Sequence, residues 1–316
     1  MKALVTGAAG FVGSALARRL LDDGWSVTGV DSLTDYYDIA LKRANLDRLV
    51  GDGFSFIEAD LNSADLDGLL AGVEYVFHLA GQPGVRKSWG DHFSHYVEAN
   101  VSATQALLEA VRRAPNVRKV VYASSSSIYG NAPRFPVVEE DLPRPVSPYG
   151  VTKLAGEHLC SLYAANFGLP VVSLRYFTVY GPGQRPDMAF TRFVRAAVRD
   201  EEIVIYGDGE QVRDFTYVDD IVAANVLAAV SPTAPGAVFN VAGTTSISVN
   251  GSLDLLSELA GVRLRISRKD VALGDVGRTG GSTALIERAI GWAPKVDLRE
   301  GLANHLEWGR AAFGTS

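Results

Sequence analysis

Ala3-Leu4-Val5-Thr6-Gly7-Ala8-Ala9-Gly10-Phe11-Val12-Gly13 is the stretch whose reading decides the fold. A short apolar run stops at a glycine. Two more glycines follow at a spacing of three, leading into residues 11–23, where apolar side chains recur at helical spacing. A strand, a tight turn and a helix account for all of this. Gly7 makes the turn, Gly10 lets the backbone approach a pyrophosphate, and Gly13 lets the helix pack closely. The helix amino terminus then turns its unpaired N–H groups toward the phosphates. Glycine spacing alone is a weak signal. Here it sits between a strand and a helix, and Asp31 answers it at the end of the next apolar run. A carboxylate there binds both ribose hydroxyls of an adenosine and opposes a 2′-phosphate, so the expected cofactor is NAD rather than NADP.

Outward from this turn, residues 26–30, 54–58, 75–79, 117–124 and 171–175 share the character of the opening run. They are short, rich in Val, Ile, Phe and Tyr, and continuous rather than alternating, as strands buried on both faces of a parallel sheet are. Residues 92–114 and 149–167 carry helical periodicity between them. The alternation predicts right-handed βαβ units and a Rossmann-type α/β fold with a doubly wound parallel sheet. Beyond Tyr176 the chain enters a Gly-, Pro- and Arg-rich segment and loses this regularity. The expected division is an NAD-binding domain of residues 1–176 and 215–241, with a smaller interleaved C-terminal lobe of residues 177–214 and 242–316. In this division residues 215–218, a helix over 219–229 and a strand over 237–241 return to the sheet, and the lobe sits over the sheet's carboxyl edge.

The bulk composition narrows the partners. With 316 residues, 47% of them apolar and 21% charged, the chain has the make-up of a globular enzyme of one large or two ordinary domains. A net charge of −6 offers no basic surface, so neither nucleic acid nor a membrane is expected as a partner, and anionic ligands must be held by local arginines. The lone Cys160 forms no disulfide within the chain and suits a reducing cytoplasm. No apolar run reaches membrane-spanning length, and Arg18 and Arg19 interrupt the apolar opening, so no export signal is expected. No metal site is expected.

The chemistry is carried by a second constellation. Tyr149 and Lys153 lie four residues apart, on one face of a predicted helix, downstream of the run Ser124-Ser125-Ser126-Ser127 at the end of the fifth strand. A free tyrosine titrates at about 10, too high for a base at neutral pH. A neighbouring ammonium and a cationic nicotinamide both favour phenolate, which predicts a lowered pKa for Tyr149. Lys153 also reaches the nicotinamide ribose, and a serine hydroxyl completes a proton path to a substrate alcohol. A Tyr-x-x-x-Lys pair alone often just decorates a helix. Joined to the glycine turn and the serine run, it points to hydride transfer at an alcohol carbon.

These residues resemble the extended short-chain dehydrogenase/reductases, of the nucleotide-sugar epimerase and dehydratase group. The resemblance covers nearly the whole chain. It is carried by Gly7–Gly13, Asp60-Leu61, His78-Leu79-Ala80, Ser125-Ser126-Ser127-Ile128-Tyr129-Gly130, Tyr149-Gly-Val-Thr-Lys153 and Arg213-Asp214-Phe215-Thr216-Tyr217-Val218-Asp219-Asp220. It implies Ser125, Tyr149 and Lys153 as the catalytic residues. It implies contacts to the cofactor from Gly7, Gly10, Phe11, Val12, Gly13, Asp31, Ser32, Asp60, Leu61, Leu79, Ala80, Asn100, Ala123, Tyr149, Lys153 and Tyr176. It further implies a UDP-sugar bound by Arg86, Ser125, Ser126, Ser127, Tyr149, Thr178, Arg185, Arg192, Tyr206, Arg213 and Arg278. A homodimer built on the helices over 92–114 and 149–167 is likewise implied.

Several stretches are more similar to the UDP-glucuronate 4-epimerases: Asp35-Tyr36-Tyr37-Asp38, Gly84-Val85-Arg86, Tyr176-Phe177-Thr178-Val179-Tyr180-Gly181-Pro182 and Arg185-Pro186-Asp187-Met188-Ala189. Small hydroxyls at Ser126, Ser127 and Thr178 suit a C6 carboxylate. UDP-glucose 4-epimerases usually carry asparagine where Thr178 stands. Dehydratases and UDP-glucuronate decarboxylases place an acid where Ser127 stands, and without it no base is poised at C5. NAD-sensing regulators of this fold typically lose the Tyr/Lys pair, which this chain keeps. One departure stands out: the group usually has an aspartate within the stretch Thr279-Gly280-Gly281-Ser282, and here glycine replaces it.

Overall fold

The computed structural model describes residues 1–270 and 274–314; residues 271–273 and 315–316 of the expected lobe lie outside them. Strands β1 (Lys2–Thr6), β2 (Ser26–Asp31), β3 (Phe54–Glu58), β4 (Tyr75–His78), β5 (Lys119–Ser125) and β6 (Val171–Tyr176) follow the expected runs closely. Helices α1 (Phe11–Asp22), α2 (Ile39–Asp47), α3 (Leu66–Leu69), α4 (Phe93–Val97), α5 (Ala103–Arg113) and α6 (Pro148–Phe167) connect them. The second half comprises β7 (Thr178–Tyr180), α7 (Ala189–Arg199), β8 (Glu202–Tyr206), β9 (Val212–Tyr217), α8 (Val218–Val230), β10 (Ala237–Val241), β11 (Ser246–Ser248), α9 (Val249–Ala260), β12 (Arg265–Lys269), α10 (Ala284–Ile290) and α11 (Leu298–Phe313).

Seven strands form a parallel sheet in the order β10-β6-β5-β4-β1-β2-β3. Thr6 at the end of β1 pairs with Val30 on one side and His78 on the other. The winding therefore reverses beside β1, and a crevice opens outside the carboxyl ends of β1 and β4, where ligands of such sheets bind. One face is covered by α1 and α8 through Leu16, Leu20, Ile221 and Ala228, and the other by α5 and α6 through Leu107, Val111, Cys160 and Tyr163. Local chemistry sets the helix ends. Ser147 caps α6 by accepting from Gly150 N at 3.1 Å, Pro148 occupies its first turn, and Gly168 ends it in a left-handed conformation.

Two expectations are corrected. Residues 215–218 do not return to the main sheet. Their strand, β9, runs parallel to β7 (Thr178 opposite Phe215) and antiparallel to β11 (Ser246 opposite Asp214). Only β10 rejoins the main sheet, beside β6. β9 is drawn to the smaller lobe because Phe215 and Tyr217 complete its core, Phe215 stacking on Phe190 at 4.4 Å. The helix expected over 92–114 is also not uniform. A π-helical turn, Glu98–Ser102, separates α4 from α5 and carries Asn100. The smaller lobe contains α7, α9, α11 and a short β8–β12 pair. Among the described residues no helix is long and apolar enough to cross a membrane.

Candidate active site

At the floor of the crevice lies the glycine turn. Gly7 has φ 73, and a Cβ there would stand 2.8 Å from Ala80 N; on Gly13 it would overlap the Gly7 carbonyl. Side chains would close the cradle at both positions. Gly10 caps α1 with no side-chain hydrogen bond, and its first turn holds no acid, so the helix terminus presents its N–H groups to a ligand. Phe11, expected only at the cofactor, also inserts into the smaller lobe's core and ties that lobe to the turn.

A cleft of about 810 Å³ opens above this floor, lined by Gly7, Gly10, Phe11, Val12, Gly13, Asp31, Ser32, Asp60, Leu61, Leu79 and Ala80 from the expected set. Asp31 accepts from Ala9 N at 3.2 Å and Leu33 N at 2.9 Å, which aims its carboxylate into the cleft. Sequence reasoning missed its cationic partner: Lys42 Nζ lies 3.7 Å from Asp31 Oδ1 and 3.2 Å from Thr34 Oγ1. A signal was present, because Lys42 shares the buried face of α2 with Leu46, where an apolar residue is expected. The fit to a dinucleotide is thus met by the chain itself: a backbone cradle that admits no Cβ, a free helix terminus and an oriented carboxylate.

Asn100, Ala123 and Tyr176 stand apart from these lining residues. Asn100 is buried and its amide is spent within the chain, accepting from Gln82 N at 2.7 Å and donating to Gln82 O and to Thr152 Oγ1. It thereby locks the segment after β4 onto α6. Ala123 is buried in β5, and the Tyr176 hydroxyl donates to Asn225 on α8 at 2.8 Å.

Tyr149 and Lys153 occupy the first two turns of α6, and Ser125 ends β5. The lowering expected for Tyr149 rested on both an ammonium and a cationic nicotinamide, and the chain's own groups push the other way. Burial pushes the phenol up; the Ser125 hydroxyl and the Arg185 guanidinium pull it back, but not far enough. Lys153 sits beside Tyr122. Its Nζ lies 4.6 Å from the centre of the Tyr122 ring, and burial brings its own pKa down to about 8 against the pull of Cys160 and Glu157. Beneath them a buried network runs from Ser124 Oγ to Glu157 (2.6 Å), from Glu157 to Arg175 (2.7 Å) and on to the Tyr129 hydroxyl (2.6 Å).

The other expected substrate residues divide into two groups. One is gathered at Asp275: Arg86 bonds Asp275 at 2.9 Å and lies 4.2 Å from the centre of the Tyr206 ring. Arg213 is held below the usual guanidinium value by burial and by Arg86, with Asp275 opposing. Two guanidiniums close enough to feel each other's charge suit a diphosphate. Arg278, on the neighbouring segment, lies over Phe135 at 5.1 Å. Nearer Tyr149, Ser126 and Ser127 are half-buried in the turn after β5, and Ser127 N donates to Ser125 Oγ at 3.1 Å. Thr178 opens β7, and Arg185 lines the cleft while paired twice with Asp187 at 3.0 Å. Arg192 turns toward β8, donating to Val204 O at 3.4 Å. The missing acid has a steric counterpart: a Cβ on Gly281 would overlap the Phe177 ring.

The pattern of the NAD dependent epimerase/dehydratase family matches residues 3–242. Over 310 residues the chain is 41% identical to an uncharacterized UDP-glucose epimerase, YtcB, of Bacillus subtilis (strain 168), covering 98% of both proteins. It is 37% identical to the UDP-glucuronate 4-epimerase of Thermodesulfobacterium geofontis (strain OPF15), covering 97% of this chain and 95% of that one. The crystal structure of the UDP-glucuronic acid 4-epimerase from Bacillus cereus, in complex with UDP-glucuronic acid and NAD, superposes with a TM-score of 0.94 at 40% identity, over 99% of this chain and 100% of that one.

Proposed function

The chain belongs to the NAD dependent epimerase/dehydratase family, and we propose that it interconverts UDP-glucuronate and UDP-galacturonate as a 4-epimerase. The observation that carries this reading is the set of groups around Tyr149. Three small hydroxyl residues, Ser125, Ser126 and Ser127, stand at the end of β5 with no carboxylate among them, and the Arg185 cation acts on the phenol. A hexuronic acid finds donors for its C6 carboxylate there, and C5 finds no base.

In the cleft, Gly7, Gly10, Gly13 and the α1 terminus would hold the pyrophosphate, Asp31 the adenosine ribose, and Lys153 the nicotinamide ribose. Bound NAD would supply a hydride acceptor for the sugar's C4 and a positive charge that favours phenolate. Tyr149 takes the C4 hydroxyl proton, with Ser125 bridging to the phenol. Because burial raises the Tyr149 pKa further above neutrality, the base is armed by the positive charge of the loaded cleft. Arg86, Tyr206 and Arg213 anchor the UDP end, so the sugar turns about a fixed diphosphate and presents its other face. Tyr149 then returns the proton.

A UDP-glucose 4-epimerase is the second reading. It is favoured by the Asp187 pairing of Arg185, which leaves mainly neutral hydroxyls for the sugar's C6. Incubating the protein with NAD and UDP-glucuronate or UDP-glucose, and resolving the products by NMR, decides between them; faster turnover of UDP-glucose overturns the first reading. The working form is a cytoplasmic homodimer. Val151 and Leu162, eleven residues apart and therefore on one face of α6, are 48% and 54% exposed apolar side chains. Light scattering at micromolar concentration reads the state directly, and a monomer refutes it.

A further inference from the structure

The loop after β2 is held in an uncommon backbone. Leu33 has φ 48, a left-handed conformation costly for a branched side chain, yet it is 5% exposed and packed in the main core. Its N–H is tied to Asp31. This turn sends the chain back along the cleft, where Tyr36 and Tyr37 stand half-buried in its wall. Tyr36 reaches the far side. Its hydroxyl lies against Gly84, φ 102, where a Cβ would overlap the phenol oxygen. It also faces Tyr96, whose own hydroxyl donates to Pro83 O at 3.0 Å and Gly84 O at 2.8 Å and whose ring stands edge-on to Tyr149, 6.3 Å away. Lys87 Nζ is 4.5 Å from the Tyr36 ring centre, and the Arg185 guanidinium 5.9 Å. One ring therefore joins the segments that follow β2, β4 and β7 beside the glycine floor.

We propose that Tyr36 is a clasp that retains the dinucleotide between half-reactions. This rests on the epimerase reading, in which the hydride taken from one face of a sugar goes back to the same sugar. A dehydrogenase exchanges its cofactor at every turnover and works with an open mouth, whereas an epimerase that lets the reduced dinucleotide go is stranded with a ketose. The contacts suit the task. A cation over a ring and a phenol against a glycine are each weak, so together they slow opening without preventing loading.

The test is the release rate of NADH from the loaded protein, chased with excess ADP-ribose and followed by nicotinamide fluorescence. Tyr36→Ala should speed release about tenfold and Tyr36→Phe, which keeps the ring over Lys87, about threefold. Both should also shed free NADH and 4-keto sugar during turnover, which a merely structural residue would not cause at unchanged melting temperature. Lys87→Ala, on an exposed side chain, should speed release about threefold and keeps the test open if Tyr36→Ala folds poorly. Release from Tyr36→Phe and Lys87→Ala within measurement error of the native rate overturns the clasp. If release accelerates while UDP-glucose proves the better substrate, the clasp stands and the choice of sugar falls.

Discussion

Replacing Arg175 with methionine should destabilise the protein far more than replacing Arg175 and Glu157 together. Arg175 is 5% exposed and Glu157 2% exposed. Arg175 donates to Glu157 from Nε at 3.0 Å and from Nη2 at 2.7 Å, and from Nη1 to the Tyr129 hydroxyl at 2.6 Å and the Glu139 carbonyl at 2.9 Å. In Arg175→Met the Glu157 carboxylate keeps only Ser124 as a donor, inside the protein. Breaking one partner of a buried pair costs about 3–5 kcal/mol. The two further acceptors left without Arg175 place the expected cost near the middle to upper part, about 4 kcal/mol. Unfolding entropy of about 2.1 cal/mol/K per residue amounts to about 0.66 kcal/mol/K over 316 residues, so the melting temperature should fall by about 6 °C. The pair Glu157→Leu with Arg175→Met removes both charges and should recover most of that loss, because well-packed apolar residues replace such a pair at little cost. Calorimetric melting of the protein free of nucleotide sugar measures both variants. A double variant that melts no higher than the single one refutes the reasoning. Glu157 also lies one turn beyond Lys153 and bonds the neighbour of Ser125. Recovery of melting temperature without recovery of kcat in the double variant would therefore assign the pair a positioning role.

Tyr149→Phe keeps the ring and loses the base, so kcat should drop by roughly 10²–10⁴ with NAD still bound, and Ser125→Ala should cost less; near-normal turnover of Tyr149→Phe overturns the assignment. Asp31→Ala should weaken NAD binding and narrow the preference over NADP, most of all because Lys42 then faces the ribose unopposed; equal affinity of the native protein for both dinucleotides removes the claim. The ammonium of Lys153 is lost as pH rises through about 8, so NAD affinity should fall there. Its folded pKa lies below the free value, so stability of the cofactor-free protein should instead rise over the same range, and Lys153→Met should abolish both trends in titrations of affinity and melting temperature. Oxidation at C4 leaves a ketone β to the C5 carboxylate, and Thr178→Ala should loosen the hold on that carboxylate and release a 4-keto-pentose with NADH; lost activity with no decarboxylated product by NMR excludes positional control by Thr178.

Much of the fold follows from residues close together in the chain. The runs that become β1 to β6 and the glycine turn were legible, because strand propensity and a positive φ at Gly7 act within a few positions. The cofactor floor and the placement of Tyr149, Lys153 and Ser125 at strand and helix ends came with them. What only the tertiary structure decided depends on partners far apart in sequence. The segment over 215–218 is compatible with either sheet, and the Phe190 stack commits β9 to the smaller lobe. Lys42 and Tyr36 join the site only because α2 and its preceding loop fold back over the cleft. The direction of the Tyr149 shift shows the limit most directly. From the sequence, a lysine one turn away and a cationic nicotinamide argued for a lowered pKa; in the folded chain that ammonium lies beside Tyr122, and partial burial pushes the phenol up. Helical spacing brings the two residues to one face, whereas burial, which belongs to the whole packed molecule, sets the energy of the charge.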